Sequence, residues 1–219
     1  MIAGVSFKGD KGQLQINSSY YNLAFKEKKR INLEKYATAS FSMDESTIIA
    51  YRNDSVSIVN VETRDGNTYL KITDGGSDRG SRTVDLFFFD KPEKCGKFTE
   101  ESCGLQVFKE DGSLAFDSRI RYMHVLSYVN ATTSEIEHSK NNLVYDAGAR
   151  TPAIVQNVAP VDSSTDPLYS TAGYVTEGNR VLYASTINTT GPVPESGSVN
   201  WPYRKNGFNP IFFIDVTGL

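Results

Sequence analysis

The sequence predicts an all-β protein made of two tandem β-sandwich modules of the immunoglobulin-like type, related by internal duplication. Three observations predict this class: an aromatic-rich composition, hairpin turns between short strand-like runs, and an internal repeat. Among 219 residues there are 12 Tyr and 12 Phe, which favour half-buried strands, while 17 Gly and 8 Pro supply turns. The length is sufficient for two modules of roughly 100 residues each.

Hairpin turns recur along the chain. Residues 55–61 alternate between apolar and polar side chains, and the pair Asp65-Gly66 separates them from a second strand-like run at 69–72. An Asp-Gly pair between two such runs indicates a tight hairpin, because the turn needs positive φ. Two further turns of this kind are centred on Asp111-Gly112 and on Gly178-Asn179. The sequence therefore predicts at least three antiparallel hairpins.

Three short matches occur in the same order in the two halves. Residues 12–18 match 112–118, residues 66–70 match 178–182, and residues 87–90 match 212–215. If the matches mark two copies, the N-terminal module spans 1–92, a linker spans 93–103, and the C-terminal module spans 104–219 with longer loops. The alternative is that the matches arose by chance, because β-proteins use the same few residue types in many of their hairpin turns.

Charge and hydropathy exclude several partner classes. The net charge is −3 and the isoelectric point is about 5.5, which argues against a nucleic-acid partner because such proteins need a basic surface. The basic run at 26–30 is expected to form a solvated edge or loop. No apolar stretch reaches the roughly 20 residues of a membrane span. The first residues lack the features of a signal peptide, so we expect folding in a cytosol.

Candidate catalytic and metal-binding residues are few. The two histidines, His124 and His138, have no spacing typical of a zinc site, and neither belongs to a recognisable nucleophile motif. We therefore predict a non-enzymatic protein without a cofactor or metal. A hydrolase that uses dispersed carboxylates is the alternative. Cys95 and Cys103 lie in the predicted linker, where they either form a disulfide or stay as thiols in a cytosol.

Several strings together resemble minor tail and tail-tip-associated structural proteins of long-tailed bacteriophages. They are Leu-Phe-Phe-Phe-Asp-Lys-Pro at 86–92, Gly-Leu-Gln-Val-Phe at 104–108, Asp-Gly-Ser-Leu-Ala-Phe-Asp-Ser at 111–118 and Phe-Ile-Asp-Val-Thr-Gly-Leu at 213–219. The resemblance covers residues 84–126 and the last ten. It implies a structural component of the distal tail, such as a baseplate, collar or fibre-attachment protein, and it carries no catalytic residues.

The resemblance also implies a location and partners. The protein would be assembled in the host cytoplasm and reside in the virion tail. There it would contact other tail proteins and form a homo-oligomer around the tail axis. A carbohydrate-binding module that contacts a host-surface glycan is the alternative.

Four aromatic residues in the second half are the candidate binding residues. Trp201 lies in a predicted loop at 189–202 that is rich in Pro, Gly and Ser, and Tyr203 follows it directly; aromatic side chains in such loops make good interface anchors. Tyr174 and Tyr183 lie nearer the Gly178-Asn179 turn. In the carbohydrate-binding alternative these rings would stack on sugars, whereas a packed loop aromatic is the alternative for Trp201.

Overall fold

The computed structural model describes residues 6–8, 14–17, 22–34, 38–54, 57–64, 67–74, 82–97, 103–132, 143–156, 161–163, 169–188 and 208–219. This part of the chain consists mainly of β-strands, which confirms the all-β class. A short 3-10 helix spans Pro92–Lys94. No helix in these ranges is long and apolar enough to cross a membrane.

The strands are, in chain order, β1 (Ser6–Lys8), β2 (Leu14–Asn17), β3 (Ala24–Leu33), β4 (Thr38–Met43), β5 (Ile48–Asn53), β6 (Ser57–Arg64), β7 (Asn67–Asp74), β8 (Arg82–Asp90), β9 (Gln106–Phe108), β10 (Leu114–Asp117), β11 (His124–Thr132), β12 (Leu143–Asp146), β13 (Pro152–Gln156), β14 (Val161–Ser163), β15 (Tyr169–Glu177), β16 (Arg180–Asn188) and β17 (Phe208–Asp215).

The described strands form five sheets. Two are the hairpins β1-β2 and β9-β10. The others have the orders β11-β17-β13-β5-β8-β3, β4-β7-β6 and β12-β16-β15-β14. The three predicted hairpins are confirmed, because β6 pairs with β7, β9 with β10 and β15 with β16, all antiparallel. The six-stranded sheet takes three strands from each half of the chain, which the prediction of two tandem sandwiches did not anticipate.

Contacts between residues divide the chain into two compact units. The first comprises residues 1–28, 46–49 and 87–124, and the second comprises residues 29–45, 50–86 and 125–219. The predicted linker at 93–103 therefore lies inside the first unit. It begins with the 3-10 helix, whose Pro92 is buried.

Two buried carboxylates in the first unit each accept several hydrogen bonds. Asp117, at the end of β10, accepts hydrogen bonds from Arg119 Nη2 at 2.6 Å and from Gln106 Nε2 at 2.8 Å. The hydrogen bond from Arg119 is the largest cause of a pKa held well below the usual range of an aspartate, and it outweighs the opposing effect of burial. Asp117 is 1% exposed, so its negative charge is stabilised by these hydrogen bonds instead of by hydration.

Asp90, at the end of β8, is the second of these carboxylates and is fully buried. It accepts hydrogen bonds from Ser46 Oγ at 2.7 Å, Thr47 Oγ1 at 2.9 Å and the Lys91 amide at 2.8 Å, and it forms an ion pair with Lys26 at 3.3 Å. Burial by itself raises the pKa of Asp90, but the hydrogen bonds outweigh it and lower the pKa to about 2. The carboxylate therefore stays ionised in the folded chain at neutral pH.

The core of the second unit includes strand β17. Ile211, Phe213 and Ile214 are fully buried, and the Phe213 ring stacks on Tyr145 of β12 with centroids 4.6 Å apart. Phe213 pairs with Ile154 of β13, which in turn pairs with Tyr51 of β5. This ladder of apolar residues runs across the centre of the six-stranded sheet.

Candidate functional site

The structure corrects part of the prediction for the aromatic binding residues. Tyr174 and Tyr183 are 0% and 5% exposed and face each other across β15 and β16, with ring centroids 5.9 Å apart. They are core side chains, so the prediction that they belong to a binding loop is wrong. Because side chains alternate between the two faces of a strand, these paired residues place both rings on one face, which is buried. Trp201 and Tyr203 lie outside the described residues.

The two cysteines are both present as thiols, so the predicted alternative of a disulfide is not formed. Cys95 directs its Sγ to the carbonyl oxygens of Ala24 and Lys91, each at 3.3 Å. Burial raises the pKa of the Cys95 thiol. Cys103 is exposed.

The histidines and carboxylates do not converge on a metal site. His124 is exposed at the start of β11, and His138 lies outside the described residues. Within the described ranges, no group of three or more His, Cys, Asp and Glu side chains could hold a metal ion.

A polar depression in the second unit brings charged side chains together. It has a volume of about 270 Å³ and is lined by Arg30, Arg52, Asn53, Asp54, Thr83, Asp85 and Thr176. We call it the charged depression. Its lining comes from four strands (β3, β5, β8 and β15) and from Asp54, which directly follows β5.

One wall of the charged depression is an ion pair between neighbouring strands. Arg30 Nε donates to Asp85 Oδ1 at 2.6 Å and Arg30 Nη2 donates to Asp85 Oδ2 at 2.8 Å. This two-pronged geometry fixes both side chains better than a single contact would. The hydrogen bonds that Arg30 donates to Asp85 are the main cause of the raised pKa of Arg30.

Arg52 forms the second cationic element of the charged depression. Its guanidinium donates to the carbonyl oxygen of Pro152 and to that of Gly178, the latter at 2.9 Å. Burial lowers the pKa of Arg52, while the nearby Asp85 carboxylate opposes this shift. A guanidinium remains charged at neutral pH even so. The two carbonyl contacts leave further N–H groups of Arg52 for other acceptors.

Neutral polar groups complete the depression. Thr176 Oγ1 accepts from the Asn53 amide at 3.1 Å and donates to the Asn53 carbonyl oxygen at 3.0 Å. The Thr83 amide donates to Asp54 Oδ1 at 3.3 Å. Charged donors, charged acceptors and hydroxyl groups therefore lie side by side around one small volume.

An exposed aromatic pair is the second candidate site in the same unit. Tyr128 of β11 and Phe212 of β17 have ring centroids 4.8 Å apart, yet they are 50% and 42% exposed. Strand β11 is the last strand of the six-stranded sheet in the order given above, and it carries no Asp, Glu, Lys or Arg. We call these two residues the aromatic pair.

Comparisons with protein-family models, characterised proteins and solved structures found no match. The two candidate sites are therefore interpreted from their own residues. Sequence reasoning missed both, because each joins strands that are distant in the chain. The sequence feature that pointed to one of these sites was the basic run at 26–30, which lies in β3 and contributes Arg30 to the charged depression.

Proposed function

We propose that this chain is a non-enzymatic structural component of a bacteriophage tail, at the distal end of the tail. It acts through protein–protein contacts in a symmetric assembly of its own copies with other tail proteins. The resemblance of residues 84–126 to minor tail proteins motivates the choice of assembly. The observation that carries the proposal is the half-exposed aromatic pair, in which Tyr128 of the uncharged strand β11 contacts Phe212 of the adjacent β17. Exposed aromatic side chains are typical anchors of protein interfaces.

The charge of the outer strands supports this role for β11. Natural sheets commonly protect an edge strand with charged side chains, which discourage pairing with another chain. At the other end of the strand order, β3 carries the basic residues of the 26–30 run, and only its first residue, Ala24, forms a bridge with Tyr122, just before β11. Strand β11 lacks such protection and presents the half-exposed ring of Tyr128 instead, as expected for a strand that is covered in an assembly.

We further propose that residues 1–92 and 104–219 are two copies of one module. The order β3-β8-β5 in the first half corresponds to β11-β17-β13 in the second, and β4-β7-β6 corresponds to β12-β16-β15. Strand β14 is an addition to the second copy. The three sequence matches fall on corresponding strands in this scheme, namely β2 and β10, β7 and β16, and β8 and β17.

The pairing registers support the same correspondence. In β1-β2, Ser6 pairs with Asn17 and Lys8 with Leu14; in β9-β10, Gln106 pairs with Asp117 and Phe108 with Leu114. Every partner is shifted by 100 residues, and each hairpin has an irregularity before its Leu pair. Two unrelated hairpins that merely use similar turn residues would not be expected to share the same pairing register and the same irregularity.

Corresponding strands also lie against one another. Tyr51 of β5 pairs with Ile154 of β13, and β6 contacts β15. Contacts between equivalent elements are expected around a two-fold axis, as in a symmetric dimer. The proposed repeat is therefore a fused pair of modules that share a sheet. An experimental structure tests it, because residues 24–33, 48–53 and 82–90 should superpose on their counterparts in β11, β13 and β17.

The repeat provides an internal comparison for the aromatic pair. The counterparts of Tyr128 and Phe212 are Lys28 and Phe87, and Lys28 Nζ lies 5.0 Å from the centre of the Phe87 ring. Phe87 is only 1% exposed. The same position is thus occupied by a cation over a buried ring in one copy and by two half-exposed rings in the other. The second copy therefore exposes aromatic side chains at this position, as is typical of a surface that contacts another protein.

The substitution Tyr128→Lys is expected to weaken self-association without unfolding the chain. It places a charge on the uncharged edge strand, where burial in an interface becomes costly. Sedimentation analysis of the purified chain across a concentration series measures the effect. We expect wild-type protein to form oligomers and the variant to be mainly monomeric, with a similar thermal unfolding midpoint.

Phe108→Lys is the matched control, since Phe108 is 52% exposed and belongs to the first unit, whereas the aromatic pair belongs to the second. It should leave self-association unchanged. A wild-type chain that stays monomeric at every concentration would contradict the contact surface.

The proposed location in the virion is tested separately. Mass spectrometry of purified phage particles should detect the chain, and its absence from the particles would contradict the virion assignment.

A further inference from the structure

We propose that the charged depression binds a neutral saccharide. The site uses the bidentate pair of Arg30 and Asp85, the Arg52 guanidinium, and the polar groups of Asp54 and Thr83 around a volume of about 270 Å³. This inference goes beyond the structural role proposed above. It uses the proposed repeat for one argument, and its test does not depend on that repeat.

The repeat indicates that the fold does not need these charges. At the corresponding positions of the second copy, Arg30 is replaced by Asn130 and Asp85 by Pro210. Arg52 is replaced by Val155 when Tyr51 and Ile154, which pair with each other, are taken as equivalent positions. The second copy nevertheless builds the corresponding strands β11, β13 and β17 in the same order. Three charged side chains that converge on one cavity in only one copy are therefore explained better by a ligand than by folding.

The balance of charge selects the class of ligand. Two guanidinium groups and two carboxylates line the depression, so the formal charges cancel. An anion would meet the carboxylates of Asp54 and Asp85, and a cation would meet the two arginines. A neutral molecule avoids both penalties. Each hydroxyl group of a sugar both donates and accepts hydrogen bonds, which suits charged donors and acceptors placed side by side.

The expected affinity is low for a single site. The described lining contains no aromatic ring on which a sugar could stack. A dissociation constant on the order of 1 mM is therefore expected for a monosaccharide unit. Many copies in one assembly would raise the effective affinity for a polymeric glycan by multivalency.

Binding is tested with the full chain and a panel of methyl glycosides of glucose, galactose, mannose and N-acetylglucosamine. Amide chemical shifts of the labelled protein are followed by NMR during titration. We expect at least one glycoside to shift the amides of Asn53, Thr83 and Thr176 in a saturable manner. Methyl galacturonide is the acidic comparison, and it should bind no more tightly than the neutral sugars.

The double substitution R30Q/D85N removes two opposite charges; Asn keeps the shape of Asp, and Gln replaces the guanidinium of Arg by a shorter neutral amide. It is expected to weaken saccharide binding at least tenfold. The matched control is R150Q/D215N, because Arg150 and Asp215 form an exposed ion pair at 2.8 Å whose residues do not line the depression. The control should bind like wild type. Thermal unfolding of both variants verifies that they fold.

Three results would overturn the proposal. One is the absence of saturable shifts for every neutral glycoside. A second is equal binding by the two double variants. A third is tighter binding of the acidic sugar that weakens with salt, which would indicate an anion site. Any of these leaves the self-association experiment on Tyr128 unaffected, so the failure of the saccharide site and the failure of the structural role can be distinguished.

Discussion

The substitution Phe213→Ala is expected to lower the free energy of unfolding by about 4 kcal/mol, a typical loss for a buried phenylalanine. Phe213 is fully buried in β17, and its ring stacks on Tyr145 with an interplanar angle of 2°. Removing the ring leaves a cavity between β17 and β12 that the sheets cannot close without moving. Chemical unfolding followed by circular dichroism and tyrosine fluorescence measures the loss.

Phe212→Ala is the control for this prediction, because it removes the same ring from the adjacent residue of the same strand. Phe212 is 42% exposed and contacts Tyr128. Its loss should cost about 1 kcal/mol, the approximate value of an exposed aromatic pair. Equal losses for the two variants would show that the burial assigned to β17 is incorrect.

The substitution Asp90→Asn is expected to cost about 3 kcal/mol at pH 7, because it removes one partner of a buried ionic network. Its effect should depend on pH. The pKa of Asp90 is about 2 in the folded chain, below the ordinary value of 3.8. The ionised carboxylate therefore contributes stability above about pH 4, and that contribution disappears as the pH falls towards 2.

Urea unfolding of wild type and Asp90→Asn at a series of pH values measures this effect. The difference between them should shrink by roughly 2 kcal/mol between pH 4 and pH 2, which follows from the size of the pKa shift. The control is Asp111→Asn in the exposed β9-β10 turn, where Asp111 Oδ1 accepts from the Ser113 amide at 2.9 Å. That variant should have little effect. A difference for Asp90→Asn that is constant with pH would contradict the ionised network.

The proposed internal repeat bears on both candidate sites. The two proposed copies have the same order of strands but different side chains at many equivalent positions. In the proposed repeat, the Lys28–Phe87 contact corresponds to the aromatic pair, and Arg30, Arg52 and Asp85 correspond to uncharged residues. Equivalent positions that differ in charge or exposure point to function, because a position that serves only the fold has the same task in both copies.

The hairpins could be predicted from the sequence, since their determinants are local. The turn at Gly112 has φ of 82° and the turn at Gly178 has φ of 57°, both in the region that glycine adopts without strain. Strands β3, β4, β12, β13 and β14 were not predicted, although β4 has the regular alternation between polar and apolar residues that indicates a strand. Strand β3 in particular contains a charged run that sequence reasoning assigned to an edge or a loop.

The sequence by itself determined the all-β class, the hairpins and the matches between the halves. These depend on side chains close together in the chain. Only the tertiary structure decided which strands are neighbours, and with them the burial of Tyr174 and Tyr183 and the meeting of Arg30, Arg52 and Asp85. The reason is physical: a strand leaves its backbone hydrogen-bonding groups open on both edges, so its partner is selected by long-range packing rather than by its own residues.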